Sequence, residues 1–223
     1  MSSKNSATVD KYLEAIFYIA FEGEVVRPGR LAKWLSVSPP TVSEALGRLR
    51  RDGWITIKKD RSAVLTSAGQ KAASNLVRHH RILERWLTDV LGLDWATADD
   101  EADRLSSAIS DFLIDRIDAS LERPLTCPHG NVIPGRAAPY GKLTALANLA
   151  VGTPATIRRI SEVAEHDARE LLLMLAGHEM AEGSLVQVVD VAVAQGEVGA
   201  LVGGKRVALS VADAQLIWVE VAT

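Results

Sequence analysis

The side chains best suited to chemistry in this sequence are a histidine and a glutamate four residues apart. His80 and Glu84 fall in a stretch of helical periodicity, Lys71–Leu91, so their spacing places them on one face of a helix. One imidazole combined with carboxylates suits Mn²⁺, Fe²⁺, Co²⁺ or Zn²⁺. The same spacing also suits a plain hydrogen-bonded pair on a helix, and spacing alone favours that simpler interpretation.

A second group of possible ligands lies in a loop rich in proline and glycine. Cys127 and His129 form a Cys-x-His pair in this loop, and we rank it as the weaker metal candidate. The sequence contains no nucleophile–base constellation, P-loop or dinucleotide-binding glycine pattern. We therefore expect a binding protein and not an enzyme.

Cysteine content and hydropathy indicate the cellular compartment in which the protein is expected. Cys127 is the single cysteine among 223 residues, which excludes an internal disulfide and fits a reducing cytosol. No run approaches the roughly 20 apolar residues of a membrane span, and the polar start Met1–Ser6 lacks the apolar core of a signal peptide. These features predict a cytoplasmic protein without a membrane partner.

The stretch Val25–Leu65 has the layout of a winged helix-turn-helix. It contains two short helical patterns, the second at Pro39–Arg51 with Ser38 as a suitable N-cap. An alternating basic ribbon at 54–65 follows and predicts a two-stranded wing.

The second helix of a winged helix-turn-helix, which we call the head of this protein, enters the major groove. There, exposed side chains near the N-terminus of that helix meet base edges. Threonine can hydrogen-bond to bases and glutamate can accept from cytosine N4, whereas arginine and lysine largely contact phosphates. The candidate base-contacting residues are Pro39, Thr41, Ser43, Glu44 and Arg48, and the candidate phosphate-contacting residues are Arg50, Arg51, Lys58, Lys59 and Arg61. The alternative is that the winged helix docks onto a protein partner.

Charge is distributed unevenly along the chain. Residues 1–75 carry a net charge of +5 and the remainder −8, although the whole chain sums to −3. A basic head on an acidic body suggests an anionic partner at the head. Together with the helix pattern, this favours double-stranded DNA.

The rest of the chain divides into a helical part and a β-rich part. Residues Thr97–Leu121 carry one apolar stripe and predict a second long helix. Beyond Lys142, short alternating segments separated by glycines predict a small β-barrel with one helix. The expected fold is α+β, with domains at 1–75, 76–140 and 141–223.

Several motifs occur in an order that resembles one known family. They are Pro40-Thr-Val-Ser-Glu-Ala-Leu-Gly-Arg-Leu-Arg-Arg-Asp-Gly-Trp-Ile55, then Arg78-His-His-Arg-Ile-Leu-Glu-Arg-Trp-Leu87, then His129-Gly-Asn-Val-Ile-Pro-Gly135. The set is similar to the diphtheria-toxin-repressor family of iron- and manganese-dependent transcriptional regulators. The resemblance implies an N-terminal winged helix-turn-helix, a helical dimerisation domain and a C-terminal SH3-like (FeoA-like) barrel. It also implies a homodimeric repressor on a palindromic operator, controlled by a divalent transition metal (manganese or iron, with cobalt or zinc as further options).

The resemblance places one metal site at the boundary with the SH3-like domain. His80 and Glu84 match it, and Asp99 stands where the family often has a histidine ligand. Asp167 and Glu170 fall near the two positions from which the barrel contributes ligands, although the match needs a one-residue shift. With the resemblance added, we favour metal binding over a structural pair at His80 and Glu84.

The primary metal site of the family departs from its usual pattern in this chain. Asp103 and Glu14 keep ligand positions, but Lys11, Ser106 and Ser107 stand where further ligands are expected. An ammonium ion cannot ligate a metal, and neutral serines are poor ligands for Mn²⁺ or Fe²⁺.

This departure leaves two alternatives open. Lys11 could pair with Asp103 and Glu14 and so replace the primary-site cation, which would make DNA binding metal-independent, or Lys11 could simply face solvent. A further alternative is an interaction protein that binds a partner through its SH3-like domain.

Overall fold

The computed structural model describes residues 7–192 and 196–221, and it describes Glu165, Asp167 and Ala192 by their backbone alone. The helices are α1 (Ala7–Phe21), α2 (Pro28–Trp34), α3 (Pro39–Arg51), α4 (Ser67–Asp89), α5 (Trp95–Ser106), α6 (Asp111–Ser120), α7 (Glu162–Asp167), α8 (Arg169–Gly177) and α9 (Val211–Gln215). The strands are β1 (Ile55–Ile57), β2 (Ala63–Leu65), β3 (Thr144–Ala145), β4 (Pro154–Ile160), β5 (Leu185–Ala192), β6 (Glu197–Val202), β7 (Lys205–Ser210) and β8 (Ile217–Val221). Of the helices in the described ranges, not one combines the length and apolar character that crossing a lipid bilayer requires.

Elements α1 to β2 form the predicted winged helix-turn-helix. Two prolines open α3, where their missing N–H groups would have no helical partner, and the Ser38 hydroxyl accepts a hydrogen bond from Thr41 N at 3.4 Å. The wing strands β1 and β2 pair antiparallel, with Ile57 opposite Ala63. The apolar face of α3 packs into the core of the head, which leaves its polar face exposed.

Helices α4, α5 and α6 form the middle domain. Helix α4 runs without interruption from Ser67 to Asp89, so the expected boundary at residue 75 falls inside a helix. Gly69, in its first turn, is needed because a Cβ there would clash with the Trp54 carbonyl oxygen. Head and middle domain are therefore joined by a continuous helix and a close backbone contact.

The single long helix predicted over Thr97–Leu121 is wrong. Helix α5 ends at Ser106, and α6 begins at Asp111. The Ser110 hydroxyl accepts a hydrogen bond from Leu113 N at 3.3 Å and so caps a new helix. The apolar stripe continues across the break, which is why periodicity alone did not reveal it.

The C-terminal domain is a six-stranded antiparallel sheet in the order β3-β8-β4-β5-β6-β7. Its register shifts between Ile157 and Arg159 and again between Val188 and Asp190, and such bulges bend a sheet. The predicted short strands are confirmed. The expectation of one helix is wrong, since α7, α8 and α9 all accompany the sheet.

Each domain has an apolar core of its own. The buried apolar clusters run from Val9 to Ala73 in the head, from Ile82 to Ile133 in the middle domain and from Leu146 to Val219 in the C-terminal sheet. The buried Ala73 of α4 belongs to the head core, whereas contacts with the C-terminal domain involve partly buried residues such as Val163 against the head core and Trp95 against the C-terminal core. The position of the C-terminal domain relative to the other two must therefore depend strongly on polar contacts.

A buried ionic network supplies those contacts. Arg159 of β4 binds both carboxylate oxygens of Glu22, which follows α1, at 2.7 and 3.0 Å. The Glu162 backbone N–H donates to the same carboxylate at 3.0 Å, and the Glu162 side chain pairs with Arg81 of α4. Both guanidinium groups also contact the Phe21 ring, with Cζ of Arg81 at 5.1 Å and Cζ of Arg159 at 5.0 Å from the ring centroid. The network thus ties all three domains together.

Removal of one partner from this network should be strongly destabilising. In Glu22→Ala the buried Arg159 charge loses its partner, and we expect the free energy of unfolding to fall by about 3–5 kcal/mol. The control is Glu220→Ala, which removes the 2.8 Å ion pair of the neighbouring Arg158, where the side chains are 30% and 28% exposed; its loss should be about 1 kcal/mol or less. Urea denaturation measures both variants, and equal losses would contradict the assigned role.

Candidate metal centre and DNA interface

A cavity of about 550 Å³ opens where the three domains meet. Its polar and charged lining residues include Asp10, Lys11 and Glu14 of the head, His80, Asp99, Asp100, Asp103, Arg104, Ser106 and Ser107 of the middle domain, and Glu162 and His166 of the C-terminal domain. Four predicted ligands, Glu14, His80, Asp99 and Asp103, are therefore brought together.

The His80 imidazole lies between two carboxylates. Its Nε2 is 3.2 Å from Asp99 Oδ1, and its Nδ1 is 3.2 Å from Asp103 Oδ1. Burial disfavours the charged ring, but the contacts with Asp103 and Asp99 outweigh burial and hold the pKa of His80 well above its usual value. These contacts favour the protonated ring, so a cation that binds His80 would compete with a proton.

Glu14 brings a carboxylate from the head into this cavity. Its Oε1 is buried and has no hydrogen-bond partner within residues 7–192 and 196–221. Burial raises the pKa of Glu14 to about 7, and the positive charges of His80 and Lys11 oppose that rise only in part. A buried carboxylate oxygen without a partner calls for an explanation such as a proton or a bound ion.

The residues that replace the family's usual primary ligands also line the cavity. Ser106 is buried, and its hydroxyl donates to the Asp103 carbonyl oxygen at 3.4 Å. Lys11 is exposed and makes no ion pair with any residue that the structure describes. It acts on Glu14 and Asp103 only through longer-range electrostatics.

A second ligand cluster lies deeper in the protein. Glu84, Cys127 and His129 are buried, and one candidate ligand atom of each lies within 4.8 Å of the others. Glu84 Oε1 contacts His129 Nδ1, whereas Glu84 Oε2 is 3.9 Å from His80 Nε2. Burial works against ionisation of Glu84, but the contacts with His129 and His80 lower its pKa below the usual value. The pair His80 and Glu84 is thus divided between the cavity and this inner cluster.

The loop that carries His129 is held against β4. Ile160 N–H donates to the His129 carbonyl oxygen at 2.8 Å, and the Asn131 side-chain amide donates to the Ile160 carbonyl oxygen at 3.0 Å. Gly130 has φ +82°, and a Cβ there would clash with the Arg158 carbonyl oxygen, so only glycine fits. The motif His-Gly-Asn therefore positions the inner cluster.

The C-terminal domain lines the cavity with residues other than those predicted. Glu170 lies exposed on α8 and is not among the lining residues, and the Asp167 side chain lies outside the described part of the chain. Instead, His166 stacks on Trp34 with 4.2 Å between ring centroids, and its Nε2 is 2.6 Å from the Trp34 carbonyl oxygen. The one-residue shift that the Asp167 match required was the available signal for His166. The roles of Asp167 and Glu170 stay predictions.

The predicted DNA-contacting residues lie on α3 and in the wing loop between β1 and β2. Pro39, Thr41, Ser43, Glu44, Arg48, Arg50, Arg51, Lys58, Lys59 and Arg61 are all exposed. The Ser38 and Thr41 hydroxyls are 2.8 Å apart, and the Ser43 hydroxyl donates to the Pro39 carbonyl oxygen at 3.0 Å. These bonds hold short side chains at the N-terminal end of α3, which is where base contacts are expected.

Family models match three consecutive parts of the chain. Residues 4–63 match the N-terminal DNA-binding domain of the iron-dependent repressors, residues 66–135 their metal-binding and dimerisation domain, and residues 144–221 the FeoA domain. The diphtheria toxin repressor of Corynebacterium diphtheriae is 33% identical over 82% of this chain and 84% of its own length. This chain belongs to the diphtheria toxin repressor family. The iron-dependent repressor IdeR of Mycobacterium leprae is 34% identical over 72% of this chain and 74% of its own length.

Solved structures share the whole architecture of this family member. A manganese-dependent transcriptional repressor in complex with manganese superposes with a TM-score of 0.85 at 32% identity, covering 96% of this chain and 100% of that one. The repressor ScaR with bound Cd²⁺ gives a TM-score of 0.78 at 25% identity, covering 95% and 98%. The predicted winged helix, helical dimerisation domain and SH3-like FeoA domain are confirmed. The chain is a transcriptional regulator of the metal-dependent repressor class and not an enzyme.

The raised pKa of Glu14 predicts how acid affects stability when a chelator is present. The pKa of Glu14 is about 7 in the folded protein against an ordinary value of 4.5, so the folded state binds this proton more tightly than the unfolded state does. The resulting stabilisation is complete below about pH 4.5 and is lost as the pH rises through about 7. In thermal unfolding, the wild type should lose more stability between about pH 5 and about pH 7.5 than Glu14→Gln does. Glu122→Gln, at an exposed position, should follow the wild type. A Glu14→Gln profile that also follows the wild type would contradict this prediction.

Proposed function

We propose that this protein is a homodimeric repressor that binds a palindromic operator when Mn²⁺ or Fe²⁺ occupies the cavity between its domains. The convergence of Glu14 from the head with His80, Asp99 and Asp103 from the dimerisation domain carries this proposal. A cation held by these residues would contact the head and the body together. It would therefore favour one orientation of the head, and DNA would bind that same orientation more tightly than others.

The donor atoms in the cavity fit this class of metal. Three carboxylates with one imidazole suit Mn²⁺ and Fe²⁺, and also Co²⁺ or Zn²⁺. The buried, unpartnered oxygen of Glu14 and the two carboxylates beside His80 support occupation by a cation. A bound metal supplies positive charge that offsets these carboxylates in place of the His80 proton.

The inner cluster is proposed as a second metal site. A thiolate, an imidazole and a carboxylate, from Cys127, His129 and Glu84, form a softer donor set that suits Zn²⁺, Fe²⁺ or Co²⁺. All three groups are fully buried, and metal binding requires Cys127 to lose its proton. A metal here would fasten α4 to the loop that leads into the FeoA domain.

An exposed apolar surface on the dimerisation domain supports assembly with a second copy. Leu105, Phe112 and Leu113 are 40%, 75% and 48% exposed, which is unusual for large apolar side chains placed close together in the sequence. A two-fold dimer presents its recognition helices symmetrically, so a palindromic operator with half-sites about 10 bp or a multiple apart is proposed. We place this dimer in the cytoplasm, in keeping with the single cysteine and the DNA partner.

Metal dependence of DNA binding is the experiment that tests the proposal. The purified protein should carry or take up Mn²⁺ or Fe²⁺, measured by elemental analysis, and should retard an operator duplex in a shift assay only when metal is present. Asp103→Asn should need about ten- to a hundredfold more metal, because it removes a carboxylate that faces the cavity. Glu101→Gln is the control, since Glu101 lies on the same helix but is not among the residues that line the cavity.

The metal-independent alternative predicts the opposite result in the same assay. If the wild type binds the duplex equally well with chelator, and Lys11→Ala restores a need for metal, Lys11 replaces the cation. If Lys11→Ala leaves the metal requirement unchanged, Lys11 is only a solvent-facing residue at the rim of the cavity.

A further inference from the structure

Helix α3, the proposed recognition helix, contains a glycine that neither the backbone conformation nor the packing of the protein requires. Gly47 lies in the interior of α3, and its φ is not in the left-handed region. A Cβ at this position would meet only the Arg51 side chain, at an ordinary distance of 3.8 Å. Glycine inside a helix is less stable than alanine. The residue therefore weakens α3 without relieving any clash, unlike Gly69 and Gly130.

Gly47 shares a helical face with two exposed polar residues. Glu44 and Ser43 precede it by three and four positions, which are neighbouring positions on a helix surface. With no side chain at Gly47, this face has a shallow spot beside the Glu44 carboxylate. A depression on an exposed face allows a binding partner to approach the helix backbone more closely.

The Glu44 side chain is exposed on α3. It forms no hydrogen bond or ion pair with any residue in the described ranges, and Arg48, four positions later, does not pair with it. The first turn of α3 contains no acidic residue, so Glu44 lies beyond the turn where the helix dipole would stabilise it. Neither a salt bridge nor the dipole accounts for an acidic side chain on this face.

A carboxylate on a DNA-binding face can contribute favourably to binding only through contacts with the bases. The phosphate backbone repels it, and it cannot donate to phosphate oxygens. In the major groove it can accept a hydrogen bond from the N4 amino group of cytosine. This contact requires the helix to lie close to the base edges, and a glycine one turn away allows that approach.

We propose that Glu44 and Gly47 act together as a specificity pair, in which Glu44 accepts from cytosine N4 in each half-site and Gly47 allows the close approach. The inference rests on the proposed DNA-binding function and adds the base that the site recognises. Arg50, Arg51 and the wing lysines then supply affinity without sequence preference.

Selection from a pool of randomised duplexes tests the base preference. With full-length protein and Mn²⁺, the wild type should enrich duplexes with one invariant cytosine per half-site. Glu44→Gln should change that preference to adenine, because glutamine pairs with adenine N6 and N7. An unchanged preference in Glu44→Gln would overturn the inference. Failure of the wild type to enrich any duplex would instead reject the proposed DNA-binding function.

Gly47→Ala separates stability from recognition. It should raise the melting temperature by about 2–4 °C, because alanine is the better helix former. It should nevertheless weaken binding to the selected duplex about tenfold or more, the loss expected when a base contact is disturbed. Gly177→Ala, at the end of α8 where a Cβ meets nothing within 4 Å, should leave binding unchanged. If Gly47→Ala binds the selected duplex as tightly as the wild type, the role of Gly47 is refuted.

Discussion

The buried ion pair between Arg159 and Glu22 is the contact on which the rest of the structure depends. Each domain has a separate apolar core, so hydrophobic burial alone leaves the domains weakly oriented. Arg159, Glu22, Arg81 and Glu162 are almost entirely removed from solvent, and a buried charge without its partner is strongly unfavourable. The four charges are satisfied together only when the FeoA domain contacts both the head and α4. Docking in this one arrangement also creates the walls of the cavity.

The cavity then concentrates negative charge that the protein only partly neutralises. Protonated His80 offsets Asp99 and Asp103, while Glu14 is driven towards its neutral form by burial. Protons and a divalent cation therefore compete for the same groups. Glu84 does not take part in this competition, because it contacts His129 and lies beside Cys127 in the inner cluster. The ionic network positions the domains, and the proposed metal adds a charge-dependent preference for the head orientation that fits DNA.

Local patterns predicted most of the fold but only part of the site. Alternation and turn residues revealed the wing and the short strands, and Ser38 with its two prolines marked the start of α3, because each signal lies within a few residues. Ser110 was a cap signal hidden by a continuous apolar stripe. The inner cluster joins Glu84 to a loop more than forty residues later, and His166 reaches Trp34 across 132 positions. Contacts of this range depend on how the domains dock, which periodicity does not describe.

The most direct test of domain docking by the ionic network is hydrogen exchange at one amide. The Glu162 N–H donates to Glu22 across the domain boundary at 3.0 Å, whereas the Ala164 N–H donates to the carbonyl oxygen of Ser161, the N-cap of α7, within the same domain. In the presence of chelator, the wild-type Glu162 amide should be strongly protected, and Glu22→Ala should abolish that protection while Ala164 stays protected. Exchange of the wild-type Glu162 amide at the rate of an unstructured peptide would show that the network does not hold the domains together without metal, and would contradict this account.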